Sequence, residues 1–118
     1  MTQQEKTIEL ADMPELITNY LKAHKARDLD AALGSYSPDA TVTDEGRTYN
    51  GLDDIRAWLS RSGSEYTYTI EPIAATEIDQ DHYDVTQRLE GDFPGGQVDL
   101  HFRFGLRDGA ICRLVIAP

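Results

Sequence analysis

The chain predicts an α+β domain: a curved, mainly antiparallel sheet with three N-terminal helices on its concave face, rolled into a cone. Three observations carry this. Apolar residues at helical spacing are confined to about the first sixty positions. Alternating strand patterns fill the remainder and are joined by turn signals such as Asp108-Gly109. A length of 118 residues suits one domain, and three helices can cover only one face of such a sheet. A sheet curved around helices in this way leaves room for a pocket inside.

Residues 1–12 begin MTQQEKTIEL and read as a flexible N-terminal segment, leaving 13–118 as the single domain. The first helix is expected from about Met13 to Ala26, capped by Asp12 with Glu15 three residues on. Met13, Leu16, Ile17, Tyr20 and Leu21 form its apolar face. Asp28 opens a second, short helix with Leu29, Ala32, Leu33 and Tyr36 inward, and Pro38 ends it because a proline disfavours helix in its predecessor. A strand over 40–44 follows. Strand side chains alternate, so Ala40, Val42 and Asp44 share one face, and the apolar face ends in a carboxylate. RTYNG reads as a loop leading to a third helix near 52–62. There Asp53 and Asp54 suit the positive N-terminal end, and Ile55, Trp58 and Leu59 form the inner stripe.

In EYTYTI, Tyr66, Tyr68 and Ile70 share a face, and Pro72 beyond them suggests a bulge or an exposed edge. In HYDVTQRLEGDF, Tyr83, Val85, Gln87 and Leu89 oppose His82, Asp84, Thr86, Arg88 and Glu90. FPGG makes a turn. In QVDLHFRFGL, Val98, Leu100, Phe102 and Phe104 oppose Asp99, His101 and Arg103. The last strand, AICRLVIA, is apolar on both faces apart from Arg113, so both faces should be covered. The polar sheet face, with Arg88, His101 and Arg103, needs water or a partner.

Composition excludes several classes. A net charge of −10, with 11 Lys and Arg that do not cluster, gives no patch to meet nucleic-acid phosphates. No apolar run approaches the roughly 18 residues of a membrane span, and the start lacks the pattern of a signal peptide, so a cytoplasmic protein is expected. Cys112 has no partner for a disulfide and lies in an apolar run, where a small core residue is the plain reading. His24, His82 and His101 have no metal-ligand spacing, and FPGG is followed by no lysine and helix start of a phosphate loop. No metal and no cofactor are expected.

The order of elements, with RDLDAALGSYSPDATVTDEG, YNGLDDIRAWL and LHFRF, resembles the nuclear transport factor 2-like superfamily over residues 13–118. This cystatin-like fold group includes ketosteroid isomerase and the SnoaL-like polyketide cyclases. The segment NYLKAHKARDLDAALGSYSPDATVTD is similar to the start of ketosteroid isomerase without a gap. In that register the resemblance puts Tyr20 on the tyrosine that donates to the developing enolate, and Asp44 on the aspartate that moves the proton. It puts Leu100 where that enzyme has a second acid. Asp99, one residue away, faces the other side unless a bulge intervenes. The resemblance also implies a homodimer through the outer sheet face.

Physical chemistry weighs on the same residues. A carboxylate enclosed by apolar groups is costly while charged, and one so poised can take a proton from a carbon beside a carbonyl. The plainer alternative is that Asp44 caps the loop DEGRTY. Tyr20 is either a core tyrosine or a donor reaching the pocket. Tyr36, Trp58, Tyr83, Leu100 and Phe102 are either core or the walls of a flat apolar pocket, and Gln87 either orients a ligand or is an ordinary strand polar residue. The expectation is a pocket for a small hydrophobic molecule. It would serve either a cofactor-free isomerisation, cyclisation or dehydration of a carbonyl compound with Asp44 as acid–base, or ligand binding or dimeric interaction without catalysis.

Overall fold

The computed structural model describes residues 5–62 and 68–118. Among these residues, seven strands form one curved sheet. In chain order the elements are β1 (Lys6–Ile8), α1 (Glu15–Lys25), α2 (Leu29–Leu33), β2 (Tyr36–Asp44), β3 (Arg47–Asn50), α3 (Gly51–Ser62), β4 (Tyr68–Asp79), β5 (His82–Gly91), β6 (Gln97–Arg107) and β7 (Ala110–Ala117). The spatial order is β1-β4-β5-β6-β7-β2-β3. Every pairing is antiparallel except β2 with β7, where Asp44 lies opposite Ile116.

The α+β roll with three helices is therefore as expected, with local differences. Residues 1–12 were expected to be flexible, yet Lys6–Ile8 pair with Glu77–Ala75 on β4. The exposed edge of β4 supplies a ladder, and Ile8 packs against the core, a long-range gain that local composition does not announce. Residues 1–4 of that segment, and Tyr66, lie outside the described residues.

Helix α1 starts at Glu15 and is not capped by Asp12. Pro14 forces Met13 into an extended conformation (φ −65°, ψ 149°), and Asp12 instead closes a short 3-10 turn over Leu10–Asp12. The Pro14 carbonyl accepts from the amides of Ile17 and Thr18 at 3.0 and 3.1 Å. Asp28 does cap α2, its carboxylate accepting from the Ala31 amide at 3.2 Å.

Tyr36 does not close α2 but opens β2, opposite Ile111. The edge of β7 captures the chain there, and the Ile111 amide donates to the Ser35 carbonyl at 2.8 Å. Pro38 falls where the β2–β7 register shifts between Tyr36 and Thr41, so no ladder donor is lost. RTYN is a strand rather than a loop. Glu45 and Gly46 both have positive φ (54° and 75°), a two-residue hairpin that returns Arg47–Asn50 alongside β2. Asp108-Gly109 makes the same kind of turn between β6 and β7, and the bulge foreseen at Pro72 lies between Pro72 and Ala74.

The inward sheet face reads in rows. Val42, Leu114, Phe104 and Tyr83 lie across from one another, and so do Asp44, Ile116, Phe102 and Val85. Helices α1 and α3 pack on this face: the Tyr20 ring meets Phe104, and the His24 ring meets Phe102. On the opposite face, His101 and Arg103 reach Asp84 at 3.0 and 3.5 Å, and Arg88 pairs with Asp99 at 2.9 Å. Cys112 is half-buried on β7, its thiol directed at the Gly105 carbonyl at 3.3 Å.

Candidate functional site

Strands β2 and β7 stop sooner than β5 and β6. The last β6–β7 pair is His101 with Ala117, whereas the β5–β6 ladder runs on to Glu90 and Gln97. This overhanging arm has wall on one side and no strand opposite. The space beneath it is a cavity of about 760 Å³.

Asp44 sits at the mouth of β2, on this cavity. The alternation that buries Ala40 and Val42 completely carries its carboxylate to the same face. One turn of α3 brings Trp58 over it, and the indole Nε1 donates to Asp44 Oδ2 at 3.0 Å. Among the described residues that is the carboxylate's hydrogen bond, so it is directed across the interior and not at the following turn. A carboxylate held this way has one oxygen oriented and lone pairs to spare on the other.

Trp58, Leu100 and Phe102 share the cavity wall with Asp44. Tyr36, Tyr83, Gln87 and Tyr20 do not. Tyr20 is wholly buried and Tyr36 nearly so, and the Tyr36 hydroxyl donates to the Tyr20 hydroxyl at 2.5 Å. Their rings meet edge to face at 5.2 Å. Burial raises the Tyr20 phenol far above its ordinary value; the bond from Tyr36 works against the rise, and the charge of Asp44 adds to it. Burial likewise raises Tyr36, helped by Tyr20. Tyr20 accepts this bond in a filled interior, and complete burial keeps its hydroxyl off the cavity wall. Tyr83 lies in the Phe104 row, one row away from the opening. Gln87 is 2 % exposed and its amide nitrogen has no partner among the described residues, although its strand neighbour Leu89 and cross-strand neighbour Leu100 both reach the wall.

Six polar or aromatic residues on the wall were not anticipated: His24, Glu45, Tyr49, Arg61, Tyr68 and Phe93. His24 stacks on Trp58 (6.2 Å, 12°) and on Tyr20 (5.8 Å, 16°), with Phe102 edge-on at 6.2 Å. Burial lowers its imidazole from 6.5 to about 4, so it is neutral at pH 7. Its signal was present, because it follows Ile17 and Tyr20 by seven and four positions and so continues their stripe. Its place near the helix C-terminus suggested an interaction with the helix dipole instead. The Arg61 guanidinium lies over the Tyr49 ring at 5.6 Å and donates to its hydroxyl at 3.3 Å. Burial raises the Tyr68 phenol; Arg27, 5.9 Å from its ring, opposes the rise and Asp44 adds to it. Among the described residues, no cluster of three or more His, Cys, Asp or Glu could hold a metal ion, and no helix is long and apolar enough to cross a membrane.

A SnoaL-like domain matches residues 17–114. Among solved structures, a candidate polyketide cyclase from Sinorhizobium meliloti superposes with a TM-score of 0.86 at 33% identity, covering 93% of this chain and 100% of that one. A protein of ketosteroid isomerase-like fold from Catenulispora acidiphila, solved with trimethylamine, gives 0.78 at 19% identity, over 90% and 86% of the two chains. A cystatin-fold protein from Novosphingobium aromaticivorans gives 0.74 at 14% identity, over 88% and 96%. No curated protein matches the chain.

Proposed function

Because the chain belongs to the SnoaL-like domain family, we propose that it is a small-molecule pocket protein whose Asp44 acts as acid–base on a carbonyl compound. The reaction class is a cofactor-free isomerisation, cyclisation or dehydration. One observation carries the reading: an aspartate carboxylate on the wall of an apolar cavity of about 760 Å³, oriented by the Trp58 indole at 3.0 Å. The volume suits a small cyclic compound. Trp58, Phe102 and Leu100 supply flat and aliphatic surface for it, and Asp44 a proton acceptor beside its carbon skeleton.

The test is exchange of the protons beside the carbonyl in deuterated water. Cyclic ketones incubated with the protein should gain deuterium at that carbon faster than in buffer, and Asp44→Asn should remove the gain. Equal exchange with wild type and Asp44→Asn sinks the acid–base role.

A second reading, ligand binding without chemistry, draws on Leu100. It stands on the wall where ketosteroid isomerase has its second acid, while Asp99 is on the outer face and held by Arg88. Saturable quenching of Trp58 by flat phenols and ketones, without exchange, favours this reading.

A homodimer through the outer sheet face, in the cytoplasm, completes the proposal. Alternating acids and bases on that face, Asp84, Arg88, Asp99, His101 and Arg103, form a surface able to meet a copy of itself. Light scattering on the purified protein should give twice the chain mass, and a monomer at micromolar concentration overturns it.

A further inference from the structure

We infer that His24 supplies the hydrogen bond that holds the ligand's carbonyl oxygen. The inference deepens the pocket reading above and rests on it. A site that takes a proton from beside a carbonyl needs a donor for the oxygen that becomes negative. The register of the chain nominates Tyr20, but that residue is wholly buried off the cavity wall, where its hydroxyl accepts from Tyr36. One helical turn further on, at the spacing that keeps two side chains on one face, α1 presents His24 to the cavity itself.

Three features fit the role. The imidazole is held, since Tyr20 and Trp58 flank it with rings tilted by only 16° and 12°, and Phe102 meets it edge-on. It is also uncommitted, because no hydrogen bond or ion pair joins either ring nitrogen to another described residue. A neutral imidazole carries one N–H donor and one lone pair, and leaving both unused in a partly buried place is costly unless a ligand or water takes them. Finally it is uncharged at neutral pH, so it does not form an ion pair with the carboxylate that shares its cavity. Two other nitrogen donors fit less well. Gln87 has an unpartnered amide nitrogen but is not on the wall, and Arg61 is engaged with Tyr49.

The step balances without a co-reactant. Asp44 takes the proton from the carbon beside the carbonyl. The C–H pair becomes the new C=C bond, and the carbonyl π pair moves onto oxygen, where the His24 N–H bond strengthens. The proton then returns to a carbon of the same molecule and Asp44 is regenerated.

The experiment uses 1-tetralone, whose oxygen can only accept, and tetralin, the same skeleton without the oxygen. Binding of each is measured by calorimetry, with the carbonyl stretch of bound tetralone read by infrared spectroscopy. His24→Phe should weaken tetralone roughly five- to tenfold, the size of one lost hydrogen bond, while tetralin changes by less than about twofold. The carbonyl stretch, lowered in the wild-type complex, should return toward its value in apolar solvent. His24→Gln, which keeps an N–H donor, should recover part of both effects. Equal weakening of the two compounds by His24→Phe would show a packing role only and overturn the inference. A tetralone-specific loss in Tyr20→Phe or Gln87→Met instead would overturn it too. If His24→Phe does not fold, the wild-type imidazole nitrogen shifts decide: no change at His24 on adding tetralone is a negative result. Failure of both compounds to bind overturns the pocket reading together with this one. Binding that depends on His24, without deuterium exchange, overturns catalysis alone.

Discussion

Two hydrogen-bonded pairs sit on the same inward face, a single sheet row apart in their surroundings, and behave as different objects. Tyr36 and Tyr20 join hydroxyl to hydroxyl at 2.5 Å with Phe104 packed on the Tyr20 ring. Trp58 and Asp44 join indole to carboxylate at 3.0 Å with the cavity beside them. Each couples an aromatic ring to an oxygen acceptor. What separates them is the length of the strands overhead. In the Phe104 row all the central strands are present and the interior is filled. Beyond the Phe102 row β2 and β7 end, β5 and β6 continue, and the interior is hollow. Whether a polar side chain is structure or site is decided here by what lies next to it, and only secondarily by its type.

The comparison is broken most directly at Asp44. Asp44→Asn should cut the deuterium-exchange rate by about 10²–10⁴-fold, the usual range for losing a positioned base, while leaving the indole an oxygen to donate to. If the same change lowers the unfolding free energy sharply and the folded variant exchanges at the wild-type rate, the Asp44 pair belongs with the tyrosines. The next largest effect is expected on the filled side. Tyr20→Ala should cost about 3–5 kcal/mol in denaturant unfolding, since it opens a void and strands the Tyr36 hydroxyl. Leu100→Ala should cost clearly less, because one side of Leu100 already faces empty space. Equal losses would mean that the cavity is closed by packing in solution.

A smaller effect sharpens the border between the two regions, where His24 touches both. Unfolded, its imidazole takes a proton near its ordinary 6.5; folded, burial delays that to about 4. Between those values the unfolded chain binds the extra proton. Stability contributed by neutral His24 is therefore fully present above the window and is lost as pH falls through it, by up to roughly 2–3 kcal/mol. The check is the difference in unfolding free energy between pH 7 and pH 4.5 for wild type and His24→Gln. Identical pH slopes would mean that His24 is open to water and belongs to neither region.

The elements that could be read from residues alone were those set by local chemistry. The α1 stripe, the Asp28 cap, the alternation in β5 and β6 and the Asp108-Gly109 turn each need only near neighbours in the chain. Lys6–Ile8, Arg47–Asn50 and Tyr36 became strand because a distant edge was waiting for them, and KTI or RTYN by itself carries no such information. Asp44 could be placed on the inward face by its period, and Trp58 by its stripe. What residue types could not distinguish was filled interior from hollow interior. Tyr36 and Trp58 are both large inward aromatics; only the relative lengths of four strands tell that one is sealed and the other lines a space. His24 was passed over for the same reason, because a histidine near a helix end has a common electrostatic explanation that requires no cavity.

The parallel pairing of β2 with β7 has a consequence for time as well as for shape. Asp44 comes early in the chain, and the strand residue that sits across from it, Ile116, comes near the end. Closing that contact encloses nearly everything between them, and such distant pairings are slow to form. During synthesis the helices and the β2–β3 hairpin can take shape from their own residues. The aspartate, however, has no fixed position until the final strand has been made and has slid in beside it. The setting of this carboxylate thus arrives with the last residues of β7, and a chain made only as far as β6 would hold parts of the cavity without the cavity.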